Sequence, residues 1–433
     1  MQQRIQSWLR TQSPTIFTIY AIIAAFSTYF SMYAFRKPFA AGSYSDVSDV
    51  AVLGLVINYK TLLIICQVLG YCTSKFIGIK LISELPSHKR AQAIALFIAI
   101  AWGSLLLFAL VPAPWNIACL VLNGLPLGMI WGLVFGYLEG RRVSEILGVG
   151  LSTSYIMASG VVKGMGKWLM NNGVPEFWMP FATGALFVLP MTLMVFLLSC
   201  LPPPTEEDIA ERSERAPMDG AARKAFFYTY IVGLLPLIIL YVLLTAYRDF
   251  RDNFAVEIWE ELGYDEGQSA AMLAGSEVPV TLGVLIILAI LMLVKDNRRA
   301  VLAVHFIMLS GTAMVGISTA LFQWGLIGPA TWMISIGLGL YAAYVPYGCI
   351  LFDRIIAMLG TVATAGFLIY VADSFGYLGS VLLMLYKDLG SPDLSWLDFF
   401  YGASYVTSVV CTILYVVSLL YFYTLSPPQS HDS

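Results

Sequence analysis

Apolar residues gather along the chain into twelve stretches. Each is about as long as the roughly 20 residues a helix needs to cross the hydrocarbon core of a bilayer. They fall near 15–35, 51–74, 91–111, 117–138, 146–168, 180–201, 225–247, 269–294, 301–323, 327–352, 361–386 and 400–424. One long polar segment interrupts them, residues 202–224. Its prolines cannot continue a helix, and its charges exclude it from lipid. The pattern predicts an all-α polytopic membrane protein with a six-helix bundle over 1–201, a linker over 202–224 and a second six-helix bundle over 225–433.

Composition points the same way. Of 433 residues, 59% are hydrophobic and 12% charged, with a mean hydropathy of +0.78. A soluble domain carries about 25% charged residues, so lipid must be the solvent for much of this surface. The net charge of -3 offers nothing to nucleic acid. All six cysteines lie inside apolar stretches, and no Cys/His spacing suits a metal. No Walker loop, zinc signature or nucleophile elbow occurs, so neither an enzyme nor a bound cofactor or metal is expected. No cleavable signal peptide is read at the start. The expected partners are the bilayer and a small anionic solute, and the expected state is a monomer.

Lysine and arginine placement predicts orientation. With both termini cytoplasmic, the inside segments hold sixteen of these residues and the outside segments six. The expected location is the cell inner (plasma) membrane, with the 202–224 linker inside.

The two halves echo one another. Phe35-Arg36-Lys37-Pro38-Phe39-Ala40 ends the first helix, and Phe250-Arg251-Asp252-Asn253-Phe254-Ala255 ends the seventh. Arg142 and Leu147-Gly148 between spans four and five match Arg354 and Leu359-Gly360 between spans ten and eleven. Such repeats predict a duplicated transporter with its site between the halves. The plan resembles the major facilitator superfamily, two pseudo-symmetric six-helix bundles. Tyr33-x-x-Arg36-Lys37-x-Phe39-Ala40, Ser74-Lys75-Phe76-Ile77, Ala365-Gly366-Phe367 and Phe375-Gly376-Tyr377-Leu378-Gly379 distantly resemble motifs of its organophosphate:phosphate antiporters. The resemblance implies exchange of a phosphorylated metabolite for phosphate, with Arg36 and a helix 7 arginine, Arg248 or Arg251, binding the anion. The helix 5 histidine of those antiporters has no counterpart; Met157 or Ser159 falls near its place.

Ionisable groups inside apolar spans cost several kcal/mol unless paired or wetted, so they mark pathways. Here they are Arg36, Lys60, Lys163, Arg248, Arg251, Glu277, His305 and Asp373. An arginine from each half would grip a dianion through charge-assisted forks; capping of helix ends at the interface is the plainer alternative. Lys60 shares a helix face with Gln67, Tyr71 and Ser74, and Lys75 is expected to guide anions. Glu277 and Asp373 are either ion-pair partners of these bases or proton carriers. His305 reads as a packed residue. Glu139, Arg141, Arg142, Asp353 and Arg354 are expected to latch the inner face. Function is therefore expected to be alternating-access transport of a small organic anion bound near the midplane. A proton-coupled symporter and a ligand sensor on the same fold are the alternatives.

Overall fold

The computed structural model describes residues 1–52, 54–139, 141, 143–206, 208, 220–359 and 365–425. Arg142 and the linker core 209–219 lie outside them. The helices are α1 (Gln2–Arg10), α2 (Pro14–Met32), α3 (Tyr59–Glu84), α4 (Arg90–Leu110), α5 (Ile117–Leu127), α6 (Ile130–Phe135), α7 (Ser144–Asn171) and α8 (Met179–Ser199). After the linker come α9 (Gly220–Thr229), α10 (Ile231–Asn253), α11 (Ala255–Glu261), α12 (Glu266–Gly275), α13 (Glu277–Met292) and α14 (Asn297–Gln323). The last are α15 (Pro329–Tyr344), α16 (Pro346–Cys349), α17 (Leu351–Leu359), α18 (Ala365–Leu385) and α19 (Trp396–Thr424).

Among the described residues, ten helices are long and apolar enough to cross a membrane, and the pair bent by 51° before α17 makes an eleventh. The segment predicted over 361–386 contains α18, 21 residues whose start adjoins undescribed positions. Each predicted stretch thus contains a helix. Lipid as solvent explains their outer faces: on α13, Leu282, Ile286 and Ile290 recur at helical spacing and are more than half exposed.

Two boundaries differ from the sequence expectation. The second span begins at Tyr59 rather than near 51, because Val50–Val52 and Leu55–Ile57 pair as an antiparallel hairpin. The β-branched residues favour strands, Gly54 supplies the positive φ of 83° at the turn, and the Asn58 side chain accepts the Thr61 N–H to start the helix. The seventh helix continues to Asn253, six residues past its predicted end. Arg248, Arg251 and Asp252 therefore lie on helix.

By contact the chain forms two compact units. The first comprises Met1–Arg212, Phe250–Val278 and Val381–Leu397; the second comprises Ser213–Asp249, Pro279–Ser380 and Asp398–Ser433. Glycines set the closest helix approaches of the first unit. A Cβ on Gly124 would lie 2.2 Å from the Gln67 carbonyl oxygen, and one on Gly160 would lie 2.0 Å from that of Leu273. Only hydrogen fits there, so α5 seats on α3 and α12 on α7 with backbones nearly touching. In the second unit Gly311 and Gly339 do the same for α14 and α15.

Candidate functional site

The first span ends in broken backbone. After Met32 the chain tightens into 3-10 turns at Tyr33–Phe35 and Pro38–Ala41, Pro38 being unable to extend an α-helix. Carbonyls freed there need partners, because lipid supplies none. Asn123 Nδ2 donates to the Phe35 oxygen at 2.9 Å, and Gln67 Nε2 donates to the Arg36 oxygen at 2.7 Å and to Asn123 Oδ1 at 2.7 Å. The Gly124 seam brings Gln67 close enough to do so. This clamp fixes Arg36 and Lys37, both 5% exposed. The Arg36 guanidinium lies 3.9 Å from the Tyr71 ring centroid, and Lys75 approaches the same ring at 5.4 Å.

Around that break lies a cluster of buried ion pairs. Lys37 Nζ meets Asp252 Oδ2 at 2.6 Å and donates to Asn253 Oδ1 at 2.8 Å. Lys163 Nζ meets Asp252 Oδ1 at 2.7 Å and also bonds the Asp252 carbonyl. The Ser159 hydroxyl donates to Asp252 Oδ1 as well. Lys60 is bonded to Glu257, Lys167 pairs with Glu260 at 3.0 Å, and Arg251 pairs with Glu277 at 2.8 Å. Lys60 and Lys163 are each 2% exposed. These charges are held because each meets opposite charge at hydrogen-bond distance; alone, each would be prohibitive.

Connectivity places the cluster along the bilayer normal. It draws on the C-terminal ends of the first, fifth and seventh spans and the N-terminal ends of the second and eighth. Successive crossings alternate direction, so all of these ends lie on one side. Lys163, eight residues before the end of α7, reaches about 12 Å inward at 1.5 Å per residue.

The second unit holds a different grouping. Arg248 bonds its neighbour Asp249 through Nη2 at 2.7 Å and Nε at 3.1 Å, and its guanidinium lies 4.5 Å from the Tyr344 ring centroid. Asp249 Oδ2 accepts from Ser380 at 2.8 Å. The Tyr241 hydroxyl bonds Asp373 and lies 2.8 Å from the Tyr344 hydroxyl. His305 is buried, with Val301 O at 2.8 Å from one ring nitrogen and Ser418 Oγ at 3.0 Å from the other.

Of the residues expected at the inner face, Arg141 bonds the Tyr137 and Pro202 carbonyls and covers the Phe17 ring at 4.8 Å. Burial lowers its pKa from the usual guanidinium value. Glu139 is exposed. Arg354 bonds Asn297 Oδ1 at 2.9 Å, and Asp353 beside it is partly exposed.

Sequence reasoning passed over Glu257 and Glu260, on a segment read as a loop between spans. Helical spacing was present there, since Asn253, Glu257 and Glu260 stand at i, i+4 and i+7. Asp252 stands beside Arg251 in the chain. It binds Lys37 and Lys163, while Arg251 turns to Glu277.

A sequence profile described as a family of unknown function (DUF5690) matches residues 38–424. The chain belongs to this family. No curated protein matches its sequence. Among solved structures, a D-xylose-proton symporter aligns with a TM-score of 0.61 at 14% identity, covering 95% of this chain and 97% of that one. A bacterial homologue of the human drug peptide transporters PepT1 and PepT2 aligns with a TM-score of 0.59 at 11% identity, over 95% and 98%. The nucleoside transporter NupG aligns with a TM-score of 0.57 at 15% identity, over 94% and 99%. At such identities the likeness is one of fold. The DUF5690 chain has the major facilitator fold.

Proposed function

We propose that the chain is a secondary transporter that carries a small organic anion across an inner membrane by alternating access. The observation that carries this reading is the triad of Lys37, Asp252 and Lys163. Two buried ammonium groups converge on one carboxylate inside a membrane domain. Asp252 is held there much as an anionic ligand would be, so an incoming carboxylate or phosphate has a ready set of donors. Arg36, stacked on Tyr71 beside the triad, adds a permanent charge. The fold supports transport, since its solved relatives are named as transporters. Exchange for phosphate is the mode that the Tyr33-to-Ala40 motif adds. A proton-coupled mode is favoured by Asp373, which is bonded by a phenol.

A thermal-shift screen of the purified chain tests the substrate class. Ligands that bind the folded state alone raise its melting temperature by mass action. Carboxylates, inorganic phosphate or sugar phosphates are expected to do so. A response to neutral sugars or nucleosides alone would overturn the anion reading. For orientation, a cysteine introduced at Asp219 is expected to resist an impermeant reagent added outside intact cells; ready labelling there rejects the cytoplasmic linker.

A further inference from the structure

Among the described residues, Asn253 and Glu257 each bring to the ion-pair cluster a polar atom that its pairing leaves over. Asn253 is 2% exposed. Its amide orientation is fixed by its neighbour: Lys37 Nζ can only donate, so the atom 2.8 Å from it must be Oδ1. The other atom, Nδ2, is buried with no hydrogen-bond partner among the described residues. Glu257 repeats the situation with opposite polarity. Its Oε1 is bonded by Lys60, and its Oε2 is buried with no hydrogen-bond partner among the described residues. Buried polar atoms are satisfied in the great majority of cases, and those that are not call for an explanation.

The two residues flank Phe254, the non-helical residue (φ -107°, ψ 21°) at which α10 gives way to α11. Lys37 holds Asn253 and Lys60 holds Glu257, so both spare atoms lie within the lysine cluster. A donor and an acceptor placed there read two features of one ligand. Nδ2 takes an anionic oxygen. Oε2 needs a donor, and three nearby ammonium groups on Lys37, Lys60 and Lys163 disfavour a second cation, so a hydroxyl fits.

We propose that Asn253 and Glu257 form a subsite that selects hydroxylated organic anions, with Asn253 Nδ2 on the anionic group and Glu257 Oε2 on a hydroxyl a few carbons away. This rests on the anion-transport reading and adds to it the substrate class. The test uses the purified full chain and three matched pairs: glycerate with propionate, gluconate with hexanoate, and glycerol 3-phosphate with propyl phosphate. Sorbitol serves as the neutral control. Affinities come from melting-temperature titrations.

At least one hydroxylated anion is expected to bind about tenfold more tightly than its deoxy partner, the worth of one good hydrogen bond. Asn253→Asp keeps an acceptor for Lys37 but removes the donor. It is expected to weaken both members of that pair at least tenfold and preserve their ratio. The double variant Lys60→Met, Glu257→Leu removes the acceptor without stranding a buried charge, and is expected to bring the ratio to about one. Equal binding of hydroxylated and deoxy anions by the unmodified chain overturns the subsite and leaves the anion reading standing. So does a ratio that survives in the double variant, or an Asn253→Asp protein with unchanged affinities. If sorbitol binds and no anion does, the anion reading itself falls, and the subsite with it.

Discussion

The two units neutralise buried charge in opposite ways. In the first, lysines from before the linker meet carboxylates 89 to 215 residues later in the sequence, on or just beyond the end of α10. In the second, Arg248 is answered by the adjacent Asp249, by the face of Tyr344 and, through Asp249, by a serine hydroxyl. A counter-ion supplied by the neighbouring residue travels with its base. One supplied from a distant segment can be parted from it, and parting strands a charge in a low-dielectric interior. On the proposed alternating-access reading, the ion pairs of the first unit are therefore the ones in which movement and charge are coupled.

The largest expected effect breaks the long-range set. Asp252→Asn removes the charge shared by Lys37 and Lys163, and loss of one member of a buried pair costs about 3–5 kcal/mol. Asp249→Asn in the second unit is expected to cost clearly less, about 1–2 kcal/mol, because Arg248 keeps the Tyr344 ring. Melting temperatures of the two variants in one detergent decide it. Equal losses would erase the contrast between the units.

Next comes a double-mutant cycle on Lys60 and Glu257. Lys60→Met alone and Glu257→Leu alone each leave an uncompensated partner and are expected to lose about 3 kcal/mol or more. The double variant is expected to recover most of the loss, because two apolar side chains of similar size replace two desolvated ions. Additive losses would mean that the two residues do not act as a pair.

Arg36→Lys is a smaller change. The charge stays, but the planar face against Tyr71 is lost. Cation–π contacts are worth about 0.5–2 kcal/mol, so stability is expected to fall within that range. Anion binding is expected to weaken more than stability, since the fork for an oxyanion is lost too. Unchanged anion affinity in this variant would remove Arg36 from the site.

How much of this was legible in the sequence depends on the distance over which each feature acts. Span existence was legible because 20 apolar residues in a row admit few other folds. The start of the second span was not, because Val50, Val52, Val56 and Ile57 are as apolar in a hairpin as in a helix. Arg36, Lys60, Lys163, Arg251 and Glu277 stood out as charges in apolar windows. Their pairing did not, since nothing local links Lys60 to Glu257 or Lys37 to Asp252. Adjacency is no guide either: Asp252 sits beside Arg251 in the chain yet faces two lysines. The Gln67–Asn123 clamp left no signal beyond two amides in apolar helices.

The smallest expected effect tests the second unit by itself. Tyr241 bonds Asp373 and Tyr344 through one hydroxyl, and no base is needed to describe that contact. Tyr241→Phe deletes the oxygen and keeps the ring that stacks 5.0 Å from Tyr344. The loss of a net hydrogen bond is worth about 0.5–1.5 kcal/mol, well below the cost of stranding a lysine. Melting temperatures of Tyr241→Phe and Asp252→Asn in one detergent check the order. A loss in Tyr241→Phe as large as that in Asp252→Asn would mean that a single hydroxyl bridge holds the second unit as firmly as the shared carboxylate holds the first.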